Sequence, residues 1–183
     1  MTLALAALIL ERRQHEEALE ILAVSDSLTG LANYRRLAAA LQMEIERSER
    51  TQRVFGVLLL DLDGLKKIND RFGHLVGSRA ICRVAENLRS TCRTLDTPAR
   101  FGGDEFAVLL PETEEDEARQ VAGRIVERLA ADKENPRISV SLGVAMYPRD
   151  GITSETLLES ADRALYQMKR QKGIQPRVAV HKG

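Results

Sequence analysis

RFGGDEFAVLLP, residues 100–111, decides the fold. Two glycines separate a short segment from an apolar run, the pattern of a hairpin whose glycine pair takes the positive φ that tight turns need. The second strand then opens on two neighbouring acids, Asp104 and Glu105. Adjacent carboxylates repel each other and have poor β propensity, so two of them at a strand start ask for a reason. Upstream, VFGVLLLDLD at residues 54–63 reads as a central strand buried on both faces, and it too ends in acids, Asp61 and Asp63.

The surrounding pattern supplies the topology. SDSLTGLAN, residues 25–33, is rich in turn and cap residues, and a helical pattern follows from Tyr34 to about Arg50. Residues 64–93 read as helices broken near Gly73 and Gly77, residues 94–101 and 104–110 as the two hairpin strands, and 112–131 as an amphipathic helix. A strand over 137–146, a helix over 154–172 and a short last strand over 177–180 complete the chain. The core order β-α-α-β-β-α-β predicts an α/β (α+β) fold, a ferredoxin-like central sheet of about five strands flanked by helices. In that sheet the first and third strands are adjacent and antiparallel. The C-terminal end of the first therefore meets the N-terminal end of the third, and Asp61, Asp63, Asp104 and Glu105 converge. Such crowding suits hard oxygen ligands for Mg²⁺ holding a phosphate chain; solvated acids in two unrelated loops are the alternative.

The chain has 183 residues, 44% hydrophobic and 30% charged, enough for one domain with an arm. We place the arm at residues 1–24 and the domain at 25–183. Lys plus Arg and Asp plus Glu number 27 each, so no global basic field recruits nucleic acid. Cys82 and Cys92 show no metal-ligand spacing and fit a reducing, cytoplasmic setting. The apolar MTLALAALIL run ends at Glu11, short of the roughly 20 residues that span a bilayer, and lacks a basic leader, so neither membrane insertion nor a signal peptide is expected. Leu5, Leu8, Leu19 and Leu22 share a and d positions of one heptad frame, with Arg12 and His15 between them. The arm is read as a signalling helix that pairs with its own copy; a helix lying on its own domain remains open.

SDSLTGLAN, DLDGLKKINDRFGH, RFGGDEF and ALYQMK, taken together and in this order, resemble the successive motifs of GGDEF domains, the diguanylate cyclases. The likeness covers roughly residues 25–181. It implies a fold related to nucleotidyl cyclases and polymerase palms, and a homodimer that condenses two nucleoside triphosphates into a cyclic dinucleotide. By this resemblance Asp61, the Leu62 carbonyl and Asp104 hold Mg²⁺ or Mn²⁺, with Glu105 in the metal shell or beside the nucleophile. Lys66 meets a phosphate, and the backbone of Gly64 and Leu65 donates to phosphates. Asn69 contacts the base, His74 lies near the sugar or base, Gly102 and Gly103 admit the nucleotide, and Lys169 binds the triphosphate. Arg93, Asp96 and, more weakly, Arg124 match the family's product-binding inhibitory site.

Two departures stand out. After Lys169 the family usually shows Gly-Arg-Asn two residues on, whereas this chain has RQKGIQ, leaving Arg170 or Lys172 to serve as a second basic contact. Where an acid usually reads guanine, this chain has Ser78, which resembles a hybrid promiscuous subgroup making cyclic GMP-AMP beside cyclic di-GMP. The expected substrates are thus GTP and ATP. Rival readings are a strictly GTP-specific cyclase, a non-catalytic nucleotide or cyclic dinucleotide receptor, and a dimerising interaction module.

Overall fold

The structure is a computed structural model that describes residues 24–174. The expected arm, apart from Val24, and the strand expected at 177–180 lie outside the described residues. Within them the elements run α1 (Tyr34–Thr51), β1 (Phe55–Leu62), α2 (Leu65–Phe72), α3 (His74–Thr91), β2 (Thr97–Arg100), β3 (Glu105–Leu110), α4 (Glu115–Ala131), β4 (Val140–Tyr147) and α5 (Ser154–Gln171). The four described strands form one antiparallel sheet in the order β2-β3-β1-β4, with the first and third strands at its centre as the chain order required.

β1 is central because every residue of FGVLLLDL is buried, and the strand period of two divides them between two cores. Leu58, Leu60 and Leu62 pack with Ile68 and the apolar faces of α3 and α4, while Phe55, Val57 and Leu59 pack with Leu37 and Leu41 of α1 and Leu157, Ala161 and Leu165 of α5. Each fully buried leucine contributes roughly 1.5–3 kcal/mol, and no edge position offers that on both faces. Residues 25–33 fold against the exposed edge of β2. Ser25 bridges Ala32, Ala32 bridges Ala99 in parallel, and Asn33 caps α1 by accepting from the Arg36 amide at 3.1 Å.

The hairpin's first strand begins at residue 97 and β4 at residue 140, rather than at 94 and 137, and three further local features differ from the sequence pattern. The stretch 64–93 has one break, at Gly73 with φ 83, and Gly77 lies inside α3. A glycine early in a helix is tolerated, and this one makes room for a neighbouring side chain. Neither Gly102 nor Gly103 takes positive φ; among the described residues the glycines that do are Gly30, Gly64, Gly73 and Gly173. The hairpin turn is longer than a two-residue loop, with the Phe101 and Gly102 amides both donating to the Glu105 carbonyl at 3.2 and 3.4 Å. What Gly102 supplies is close approach, since a Cβ there would collide with the Glu105 side chain, whose Cβ would lie at 3.0 Å. Finally, α4 begins at Glu115 rather than at 112, because Glu112 turns through φ 47, outside the helical region.

Candidate active site

Antiparallel pairing of β1 with β3 sets Asp61 opposite Glu105, and the Leu62 amide donates to the Asp104 carbonyl at 2.9 Å. The last residues of one strand and the first of the other are thus locked in register. Asp61 and Asp104 are both buried. Burial pushes the Asp61 carboxyl up; Lys169 opposes that, and the charges of Asp104 and Asp63 add to it. Desolvation likewise raises Glu105, followed by the charges of Asp104 and Asp61. Asp162 on α5 also acts on Glu105, a neighbour that the sequence reading missed.

Lys169 reaches this cluster from the last turn of α5, and its Nζ sits 2.7 Å from Asp61 Oδ2 with both side chains largely shielded from water. An ammonium therefore neutralises the acid that sits deepest in the sheet. Asp63, although only two residues on, is held elsewhere. Its oxygens accept from the hydroxyls of Ser141 and Ser139 at 2.7 Å each, and from Lys172 Nζ at 3.2 Å. Lys172 also donates to the Val140 carbonyl at 2.7 Å, so it is engaged with β4, whereas Arg170 is exposed. The expected group of acids thus comprises Asp61, Asp104 and Glu105, with Asp63 serving to anchor the end of β1 to β4.

Among the described residues no group of three His, Cys, Asp or Glu side chains is arranged to cage a metal ion. The donor chemistry nonetheless suits a hard cation. Two buried carboxylates stand at adjoining strand ends, the charge of Asp104 adding to the cost of ionising Asp61, and Mg²⁺ takes one or two carboxylates while completing its shell from water and substrate phosphates.

On the other side of the sheet end, Gly64 turns through φ 72 into α2. Lys66 stands in the first turn of that helix, exposed. Leu65 and Asn69 follow, half-buried. Asn69 lies across Gly77: a Cβ on residue 77 would strike its amide, with Asn69 Cγ at 2.9 Å and Leu65 Cδ1 at 3.2 Å. Gly77 is a residue of the site that its sequence neighbours did not reveal. Ser78, the next residue of α3, is half-buried, and His74 at the helix start is exposed. Gly103 has open space where a Cβ would project. An open groove of about 580 Å³ runs past it from Tyr34 and Arg35, beside the carboxylates rather than over them.

A second constellation sits at the opposite end of β2. The Arg93 amide donates to Asp96 Oδ2 at 2.6 Å. Burial raises the Asp96 carboxyl, while Arg93 and Arg124 act to lower it, so all three residues are neighbours although α4 follows β3 in the chain. Cys92 beside them is pushed up to about 12, chiefly by burial, and is an inert thiol. Of the candidate residues, the structure gathers Asp61, Leu62, Asp104, Glu105 and Lys169 at one end of the sheet, with Gly64, Leu65, Lys66, Asn69, His74 and Ser78 on the adjoining helices.

The profile of the family described as diguanylate cyclase, GGDEF domain, matches residues 23–175. The chain is similar to the bifunctional diguanylate cyclase/cyclic di-GMP phosphodiesterase MucR of Pseudomonas aeruginosa, 41% identical over 154 residues, covering 82% of this chain and 22% of MucR. It is similar to the response regulator PleD of Caulobacter vibrioides, 36% identical over 165 residues, covering 86% of this chain and 36% of PleD. The chain thus spans between about a fifth and a third of the length of these curated relatives. Among solved structures, the coiled coil and GGDEF domain of DgcB from Caulobacter crescentus in complex with c-di-GMP superposes with a TM-score of 0.84 at 27% identity, covering 94% of each chain. A sensory box/GGDEF family protein from Caulobacter crescentus gives 0.75 at 38% identity, covering 81% of this chain and 99% of the other.

Proposed function

Because the chain belongs to the GGDEF family of diguanylate cyclase domains, we propose that it condenses two nucleoside triphosphates into a cyclic dinucleotide and releases pyrophosphate. The observation that carries this reading is the register of β1 and β3, which sets Asp61 opposite Glu105 with Asp104 beside it. A receptor or a dimerisation module has no need of acids crowded at such cost.

The residues divide the work. Asp61, Asp104 and the Leu62 carbonyl would hold Mg²⁺ or Mn²⁺, with Glu105 beside them. That ion would neutralise phosphate charge and lower the pKa of the attacking 3′-hydroxyl. The backbone amides at the start of α2 and Lys66 receive phosphate oxygens, as helix N-termini do. The open side of Gly103 lets the nucleotide lie against the backbone. Lys169, paired with Asp61, exchanges that carboxylate for triphosphate oxygens when substrate is in place. Each chain offers one such site, so two copies must face each other for reciprocal attack, and the working unit is a homodimer. Arg93, Asp96 and Arg124 form a separate product site that slows the enzyme, with arginine suited to bidentate recognition of phosphate and guanine edges.

The base pocket supports a finer reading. Asn69 and Ser78 occupy adjoining turns of α2 and α3. A carboxylate at position 78 would only accept, favouring the guanine N1–H and amino group; a hydroxyl donates or accepts and is uncharged. Losing a charge-assisted bond weakens guanine preference by roughly 1.5–3 kcal/mol, about ten- to a hundredfold. With equal GTP and ATP plus Mg²⁺, mass analysis is expected to find 3′,3′-cyclic GMP-AMP beside cyclic di-GMP, and Ser78→Asp to shift output toward cyclic di-GMP. Cyclic di-GMP alone from the parent chain would leave a strictly GTP-specific cyclase.

Gly77→Ala tests the Asn69 placement. The methyl must displace the Asn69 amide. Helix propensity favours alanine by up to about 1 kcal/mol, so thermal stability should hold or rise. The KM for GTP should nevertheless increase, by about tenfold for one lost base contact. An unchanged KM would remove Asn69 from the pocket.

A further inference from the structure

Arg100 is the last residue of β2, and its guanidinium joins two segments that the chain keeps far apart. Its Nη1 donates to both carboxylate oxygens of Asp26, at 3.0 Å each, across 74 residues of sequence. Its Nη2 donates to the Gly103 carbonyl at 2.9 Å. The side chain is only 14% exposed and that of Asp26 20%. Arg100 Nε is buried without a hydrogen-bond partner, so the fork is oriented for its two Nη contacts at the expense of its third donor.

Asp26 is itself fixed. Its Oδ1 accepts from the Thr29 amide at 2.9 Å and from the Thr29 hydroxyl at 2.6 Å. Burial pushes its carboxyl up, but the hydrogen bonds from Thr29 and Arg100 outweigh that and hold it below the usual range. The Arg100 amide donates to the Ala32 carbonyl at 2.9 Å, so backbone and side chain grip the same loop. At the other end, the carbonyl of Gly103 belongs to the peptide that leads into Asp104. Fixing that plane orients the Asp104 backbone from one side, while the Leu62 amide fixes it from the other.

We propose that Arg100 is a positioning residue that ties the loop of residues 25–33 to the Gly102–Gly103 turn, so that the fit of the turn to a nucleotide depends on how the chain arrives at Asp26. The role rests on the reading of that turn as a nucleotide-binding element. Arginine is needed because a lysine ammonium, a point charge without the planar fork, cannot hold the carboxylate and the carbonyl in one fixed geometry.

The test uses the full chain with Asp26→Asn, Arg100→Lys and the milder Thr29→Val; Asp26 and Arg100 line the groove beside Gly103, so exchange in the free protein reads the coupling apart from any direct contact with nucleotide. Amide hydrogen exchange is followed in the free protein, and affinity for a non-hydrolysable GTP analogue with Mg²⁺ is measured by calorimetry. Exchange across residues 102–105 should quicken and analogue affinity should fall about tenfold in Asp26→Asn, the size of one lost charge-assisted hydrogen bond. Interior amides of β1 and β3 should keep their protection, and Thr29→Val should move both readouts the same way by less. Exchange that changes only within residues 25–33, or analogue affinity equal to that of the parent, would overturn the proposal. A parent chain that binds no analogue would instead sink the cyclase reading, and the exchange at 102–105 would still decide whether the two segments are coupled.

Discussion

Asp104→Asn is expected to reduce turnover by about a thousandfold or more while the sheet stays folded. The substitution removes a charged oxygen from a site that must balance a triphosphate. It also relieves the repulsion that raises Asp61 and Glu105. Asp61→Asn should lose as much activity for the same reason, yet its cost to stability differs. Lys169 Nζ lies 2.7 Å from Asp61 and is shielded from water, so an amide there strands an ammonium. Breaking such a pair is costly, though Asp104 and Glu105 still lend it a negative field; a loss of roughly 1–3 kcal/mol follows. Product formation and urea denaturation of the two variants separate these effects. Unchanged stability of Asp61→Asn, or substantial activity in either variant, would contradict the assignment.

Gly143→Ala should destabilise the domain by about 3 kcal/mol or more. Gly143 lies on β4 opposite Leu59, and α5 crosses it so closely that a Cβ would strike the Ala161 carbonyl oxygen and the Leu165 amide, with the Ala164 carbonyl carbon at 3.1 Å. These are backbone atoms of a helix whose Leu157, Ala161 and Leu165 are packed into the core, so no side chain can swing aside. The helix must lift, and it carries Lys169 with it. Gly123→Ala is the control. Its Cβ would enter open space on α4, where alanine gains up to about 1 kcal/mol in helix propensity. Denaturation midpoints that fall for Gly123 but not for Gly143 would refute this account of the α5 contact.

The strand order and the meeting of acids were legible because they depend on patterns local to each element. An unbroken apolar run marks β1, and chain order with handed crossovers sets β3 beside it. What the sequence concealed is non-local. Asp61 and Asp63 are the same residue type two positions apart at the end of β1, yet Ser139, Ser141 and Lys172 claim only Asp63, from positions more than 70 residues away. Gly77 looked like a helix break because glycine signals one; its use as a seat for Asn69 depends on how two helices meet. The Gly102–Gly103 pair suggested a tight turn, but loop length rather than composition sets φ there. Ser-x-Ser at the start of β4, opposite an Asp-x-Asp strand end, was a signal that could have been read.

The central claim is that the acids at the adjoining ends of β1 and β3 perform cyclic dinucleotide synthesis. Its most direct measurement incubates the parent chain and Asp104→Asn with GTP and Mg²⁺, and quantifies pyrophosphate and nucleotide products by mass. The expected result is cyclic di-GMP with two pyrophosphates per product from the parent, and neither from Asp104→Asn. Intact GTP after incubation with a parent chain that binds it, or equal product from both proteins, would contradict the claim.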